Sequence, residues 1–248
     1  MMKTSCLILI ATIALACTTT MASEPSSLLP DSGGHRLFRG SMPPGMIAAT
    51  RQAMAPPVPP YQIPASPYFQ PVAFHGPGNM AFALPQANVF GDPQSDLMAG
   101  LMVGQVYRFK ITGIPGAPGT ELFPTIEMVD RTFPPPGLAT SYPIPIHIDA
   151  DDIAAVADGS LVTRVIYLED PQTAVPLRQP TSGAVPIDVG VVDDPLHTAD
   201  RLGRVVAILR LGSLAPPRAP ALMPGFVFGS PSWAPIYQAD TASRGEHP

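Results

Sequence analysis

Thirty-four of the 248 residues are proline, and where they fall limits where a backbone ladder can form. Average usage is about 5%, and each proline removes an N–H donor and fixes φ. Twelve lie between residues 43 and 95, and seven more follow Ser213. Textures such as MPPGM, APPVPP, IPASP and FHGPGN make residues 18–100 read as a Pro/Met/Gly-rich linker, largely disordered. Residues 214–248 read as a Pro-rich tail. Between them, 101–213 alternates β-branched and polar residues, and its length suits one ordinary domain.

Within that domain the period-two pattern sets the expected strands. Val106 to Ile111 puts Tyr107, Phe109 and Ile111 on one face, and Glu121 to Asp130 puts Leu122, Ile126 and Met128 together. Tyr142 to Ile148 alternates Ile144, Ile146 and Ile148 against Pro143, Pro145 and His147. Its prolines predict an edge strand. Leu161 to Leu168 is almost continuously apolar, which predicts the central strand with Val165 and Ile166 in the core. Val185 to Val192 and Arg204 to Leu211 complete the set. Two short helices are expected. Asp149 would cap the first, with Asp152 completing a capping box and Gly159 closing it. Asp194-Pro195 would open the second, with Gly203 at its end. The fold class is therefore mainly β: a small antiparallel β-sandwich with two short helices between Pro-rich flanks. Phe226-Val227-Phe228 and Trp233 make the tail apolar enough to dock as an extra strand, with 142–148 as the open edge.

The N-terminus carries an address. Lys3 precedes an apolar run from Cys6 to Ala16, too short for a bilayer span and ending in small residues. Residues 1–17 read as a signal peptide, and the protein is expected to be exported to the periplasm, outer membrane or cell surface. Two processing routes fit. Ala14-Leu15-Ala16-Cys17 resembles a bacterial lipobox, which would make Cys17 the lipidation site and the membrane a partner. Ordinary cleavage after Ala16 or Ala22 is the other. Thr18 after the cysteine resembles an outer-membrane sorting signal. The only cysteines are Cys6 and Cys17, so the domain has no disulfide, thiolate metal site or cysteine nucleophile. Losing the leader with Lys3 takes the net charge from −5 to −6, which argues against nucleic acid as a partner.

Chemistry is sparse. Asp149, Asp151 and Asp152, with His147 nearby, are the densest set of ligand-type residues and weak metal candidates. They lack the spacing and terminal Glu of an EF-hand, and capping accounts for two of the three. Ser160 or Ser182 could pair with His147 or His197, as in any chain of this length. Met42, Met46, Met54 and Met80 with His35 and His75 could suggest copper, but their irregular spacing reads as low complexity. His35-Arg36-Leu37-Phe38-Arg39 reads as a solvated segment. No GxSxG, HExxH, GxxxxGK[ST] or GxGxxG sequence is present. No enzyme activity, cofactor or metal is expected. Asp130, Arg131 and Arg164 are candidates for an ion pair inside the domain, and Asp149, Asp194 and Gly203 for structural roles.

The stretch Pro118 to Ile148, with TIEMVDRTFPPPGLATSYPIPI, VTRVIYLEDP at 162–171 and ADRLGRVVAILRLGS at 199–213 resembles a group of uncharacterised secreted bacterial envelope proteins (putative lipoproteins). The resemblance covers the central 110 or so residues. It implies export and an all-β module and assigns no catalytic residue. The expected function is a non-enzymatic interaction or structural module of the cell envelope, with an unknown envelope protein or matrix as partner. The alternative is an extracytoplasmic hydrolase or carbohydrate-binding domain, for which the single Trp233 is a thin supply of aromatic platform.

Overall fold

In the computed structural model, which describes residues 43–54, 67–170, 186–190, 193–229 and 234–237, most of the alternating segments contain strands and the fold is mainly β. Helix α1 (Met46–Met54) precedes β1 (Phe69–His75), β2 (Ala81–Ala83), β3 (Pro85–Gln86), β4 (Val89–Phe90) and β5 (Met98–Met102). Next come β6 (Val106–Arg108), β7 (Lys110–Thr112), β8 (Thr125–Met128) and β9 (Ile144–His147). Helix α2 (Ala150–Ala157), β10 (Val162–Glu169), α3 (Pro195–Leu202), β11 (Gly203–Leu211), α4 (Met223–Phe226) and β12 (Ile236–Tyr237) follow.

Two four-stranded sheets carry the fold. One has the order β12-β5-β1-β9, with β1 antiparallel to β5 and parallel to β9. The other, β10-β11-β8-β6, is antiparallel throughout. One core cluster draws on both. Val72, Phe74, Leu101, Ile144 and Ile146 from the first sheet join Ile126, Met128, Leu209 and Leu211 from the second. At its centre Phe74 lies 5.6 Å from Phe82 and 4.8 Å from Phe109, ring to ring. Such tilted pairs add about 0.5–1.5 kcal/mol each beyond area burial. The other face of the second sheet buries Val205 and Ile208 against Ile47 of α1 and Leu196 and Ala199 of α3.

Several sequence expectations need correction. The linker read over 18–100 contains β1 to β5, so the folded part begins well before residue 101. The prolines there sit where a sheet tolerates them. Pro71 lies on β1 before β9 begins to pair, since the β1–β9 register starts at Val72↔Ile144. Pro85 opens β3. Ala87 and Asn88, both at positive φ (47° and 72°), turn β3 into β4 as a two-residue hairpin. The tail is also built in. Phe226 and Val227 pack with Phe123, and β12 pairs with β5, at the opposite edge from 142–148. Residues 1–42, 55–66, 171–185, 191–192, 230–233 and 238–248, with Cys17, Ser182 and Trp233, lie outside the described residues.

The central strand is β11, buried on both faces, and not 161–168. Among the described strands β10 pairs with β11 alone, and Val165 and Ile166 are partly buried, each packing against a different core cluster. The expected strand at 185–192 is absent from its described portion, 186–190. The edge position of β9 agrees with its prolines: Ile144 and Ile146 are buried while Pro145 is exposed.

The helix signals act as read. Asp149 and Asp152 form the capping box of α2, and Gly159 adopts φ +87° just past its end. Asp194 accepts from Leu196 N at 2.8 Å, with Pro195 in the first turn of α3. Gly203 serves a close approach: its backbone is extended, and a Cβ there would overlap the Leu168 carbonyl of β10.

Candidate functional site

β1 and β9 run parallel and end together, so His75 and His147 are register partners in the last row. Ile148 N–H donates to the His75 carbonyl at 3.0 Å, which fixes the backbone just beyond. The two imidazoles stack with centroids 4.9 Å apart and planes at 23°. His75 is exposed and His147 half-buried. Two residues on, Asp149 caps α2.

The acidic cluster predicted here is committed to structure. Asp149 Oδ1 accepts from Asp152 N–H at 2.8 Å, and Asp152 Oδ2 accepts from Asp149 N–H at 3.2 Å. Both carboxylates also take Arg164, which reaches over from β10. Its Nε donates to both Asp152 oxygens at 2.8 Å, and its terminal nitrogen to Asp149 at 2.5 Å. The carboxylates stand where the α2 dipole favours negative charge. Asp151 is exposed. Among the described residues no group of three or more His, Cys, Asp or Glu side chains is arranged to hold a metal ion.

Burial alone would lower the Arg164 guanidinium, but Asp152 and Asp149 outweigh it and hold it above its ordinary value. Burial pushes the Asp152 carboxyl up, against the pull of Arg164 and the Asp149 N–H. We read the pair as ionised, because Arg does not lose its proton in proteins and its fork meets both Asp152 oxygens.

His147 is held below its ordinary value, first by burial and then by the charges of His75 and Arg164. The fold thus favours neutral imidazole. Its contribution is complete above the unfolded value near 6.5 and is lost as pH falls through the depressed folded value. The urea midpoint should therefore drop between pH 7 and pH 5, and His147→Gln should shrink that drop. An unchanged drop in the variant would refute it.

The expected ion pair among Asp130, Arg131 and Arg164 is not the one formed. Arg164 serves α2. Asp130 instead takes Arg51 of α1 at 2.6 Å and Arg204 of β11 at 2.5 Å. Arg131 stacks on Tyr68 and Phe133, at 4.8 and 4.6 Å. Its neighbour Thr132 is pinned by the fully buried Gln70, whose Oε1 accepts from Thr132 N–H at 2.7 Å and Oγ1 at 3.0 Å. Ser160 lies just past α2 and His197 on α3, and among the described residues no hydrogen bond joins Ser160 to His147 or His197.

Three buried charges escaped the sequence reading. Glu127 of β8, fully buried, pairs with Arg210 of β11 at 3.0 Å and accepts from Ala48 N–H of α1 at 2.9 Å. Arg108 of β6 donates to the carbonyls of Phe226 (2.7 Å) and Phe123 (2.6 Å) and lies 4.3 Å from the Phe226 ring centroid. Burial lowers its pKa. Each charge sits in an otherwise apolar strand, and its only sequence signal was that position in the alternation.

No family model matches the chain, and no curated protein or solved structure does either.

Proposed function

We propose that this is an exported cell-envelope protein, anchored through a lipidated Cys17, whose folded part works as a non-enzymatic interaction or structural module. The observation that carries this reading is the leader: Lys3, the apolar run from Cys6 to Ala16, and Ala14-Leu15-Ala16-Cys17 at its end. Thr18 directs the proposal toward the outer membrane. The partner is an envelope protein or matrix component, and not nucleic acid.

Two features of the folded part support it. The ionic clusters around Asp130, Glu127 and Asp152 tie helices to strands, which is scaffold work. The connection from Thr132 to Tyr142 offers large apolar side chains to solvent: Phe133, Leu138 and Tyr142 are all exposed. Exposed large apolar side chains on one connection are candidates for a partner contact if they form a contiguous patch. Among the described residues no helix is long and apolar enough to cross a membrane.

Labelled palmitate fed to cells making the wild type should enter the protein, and Cys17→Ser should abolish the label. Equal labelling of both, or a mature N-terminus at Ser23, would overturn the anchor.

A further inference from the structure

We propose that His75 and His147 form a two-imidazole clip for a divalent transition-metal ion, with Ni(II), Cu(II) and Zn(II) as the matching class. Parallel pairing of β1 with β9 sets both Cα atoms in one row, and the Ile148 N–H to His75 carbonyl bond holds the ends of the strands in register. The rings already face each other at 4.9 Å with planes 23° apart. Metal–imidazole bonds of about 2.0–2.1 Å require ligand nitrogens roughly 3 Å apart. Side-chain rotation must bring one nitrogen of each ring to that separation, and His75 is exposed, with room to turn.

The neighbouring group of Asp149, Asp152 and Arg164 sums to one net negative charge, although the member whose charge acts on His147 is Arg164. Because both carboxylates are engaged by Arg164 and the helix cap, the clip contributes two nitrogen ligands. The remaining positions fall to water or to a ligand supplied by a partner. Imidazole nitrogen selects copper, nickel and zinc over magnesium or calcium, which prefer oxygen.

The chain has five histidines, which makes the test direct. Ni(II) chloride is titrated into the purified chain while the five imidazole Cε1–H proton resonances, one per histidine, are followed. Sub-stoichiometric Ni(II) should broaden two of the five resonances first, and His75→Gln and His147→Gln should each remove one of them. By calorimetry each variant should bind Ni(II) at least tenfold more weakly, the double variant little worse than either single one. His197→Gln, on α3, should bind as the wild type does. Because His75 is exposed, His75→Gln also guards against a variant that merely fails to fold. Even broadening of all five resonances, or wild-type affinity in His75→Gln, would overturn the clip.

Discussion

Glu127→Ala should destabilise the protein by about 3–5 kcal/mol, the cost of breaking a buried ion pair and taking its carboxylate from Arg210. For a chain of this size that lowers Tm by roughly 6–20 °C. Glu127 is fully buried and Arg210 is 7% exposed, so water cannot replace the lost carboxylate. The loss also reaches α1, whose Ala48 N–H donates to the same carboxylate. Protease should therefore cut near residues 43–54 sooner in the variant. Glu127→Leu combined with Arg210→Met should recover much of the stability, because an apolar pair removes the desolvation cost on both sides. Calorimetric unfolding of the two variants checks this, and an unchanged Tm in Glu127→Ala would refute the buried pair.

A fragment spanning 101–213 should not fold, whereas 43–237 should. The short fragment lacks β1, most of β5, and β12, leaving β9 alone from the first sheet. It also lacks Val72, Phe74, Met80, Phe82, Leu84, Leu97 and Ala99 from the main core cluster. Filling that void with water forfeits about 1.5–3 kcal/mol for each large side chain of core packing, against a total stability of roughly 5–15 kcal/mol. In the whole chain Phe74→Ala alone should cost about 3–5 kcal/mol. Amide proton dispersion separates the outcomes: a well-dispersed spectrum from 101–213 would mean that β1 to β5 are dispensable.

That second prediction marks where the sequence was hardest to read. Proline density argued against structure over 18–100, yet density is a poor guide when each proline has its own position. Pro71 lies beyond the reach of β9 and Pro85 starts a strand, so neither removes a ladder bond that the sheet needs. The hairpin at Ala87-Asn88 lacked the glycine that usually announces positive φ. By contrast, signals based on local hydrogen bonding were legible. The capping box at Asp149 and Asp152, Pro195 at the start of α3 and the edge strand at 144–147 all depend on near neighbours in sequence. Which of two apolar strands is central depends on neighbours far away, so β10 and β11 could not be ranked. The same holds for the candidate site. His147 and the acids were visible because they are contiguous, while His75 and Arg164 reach the site only through β1–β9 pairing and the crossing of β10.

The two edges of the first sheet are finished differently, and this bears on what happens when many copies crowd one compartment. At one edge β12 occupies β5, with Gly100 N–H donating to the Pro235 carbonyl at 2.7 Å. At the other, β9 presents Pro145, which has no N–H to offer an arriving strand. Neither edge is a ready template for a neighbouring chain, so the sheet is closed to growth by addition. The protection is unequal in durability. Proline is permanent, whereas β12 is two residues long and lies within the tail. Proteolytic loss of the tail would uncover β5, and nicked molecules would become the seeds of association while intact ones stayed monodisperse.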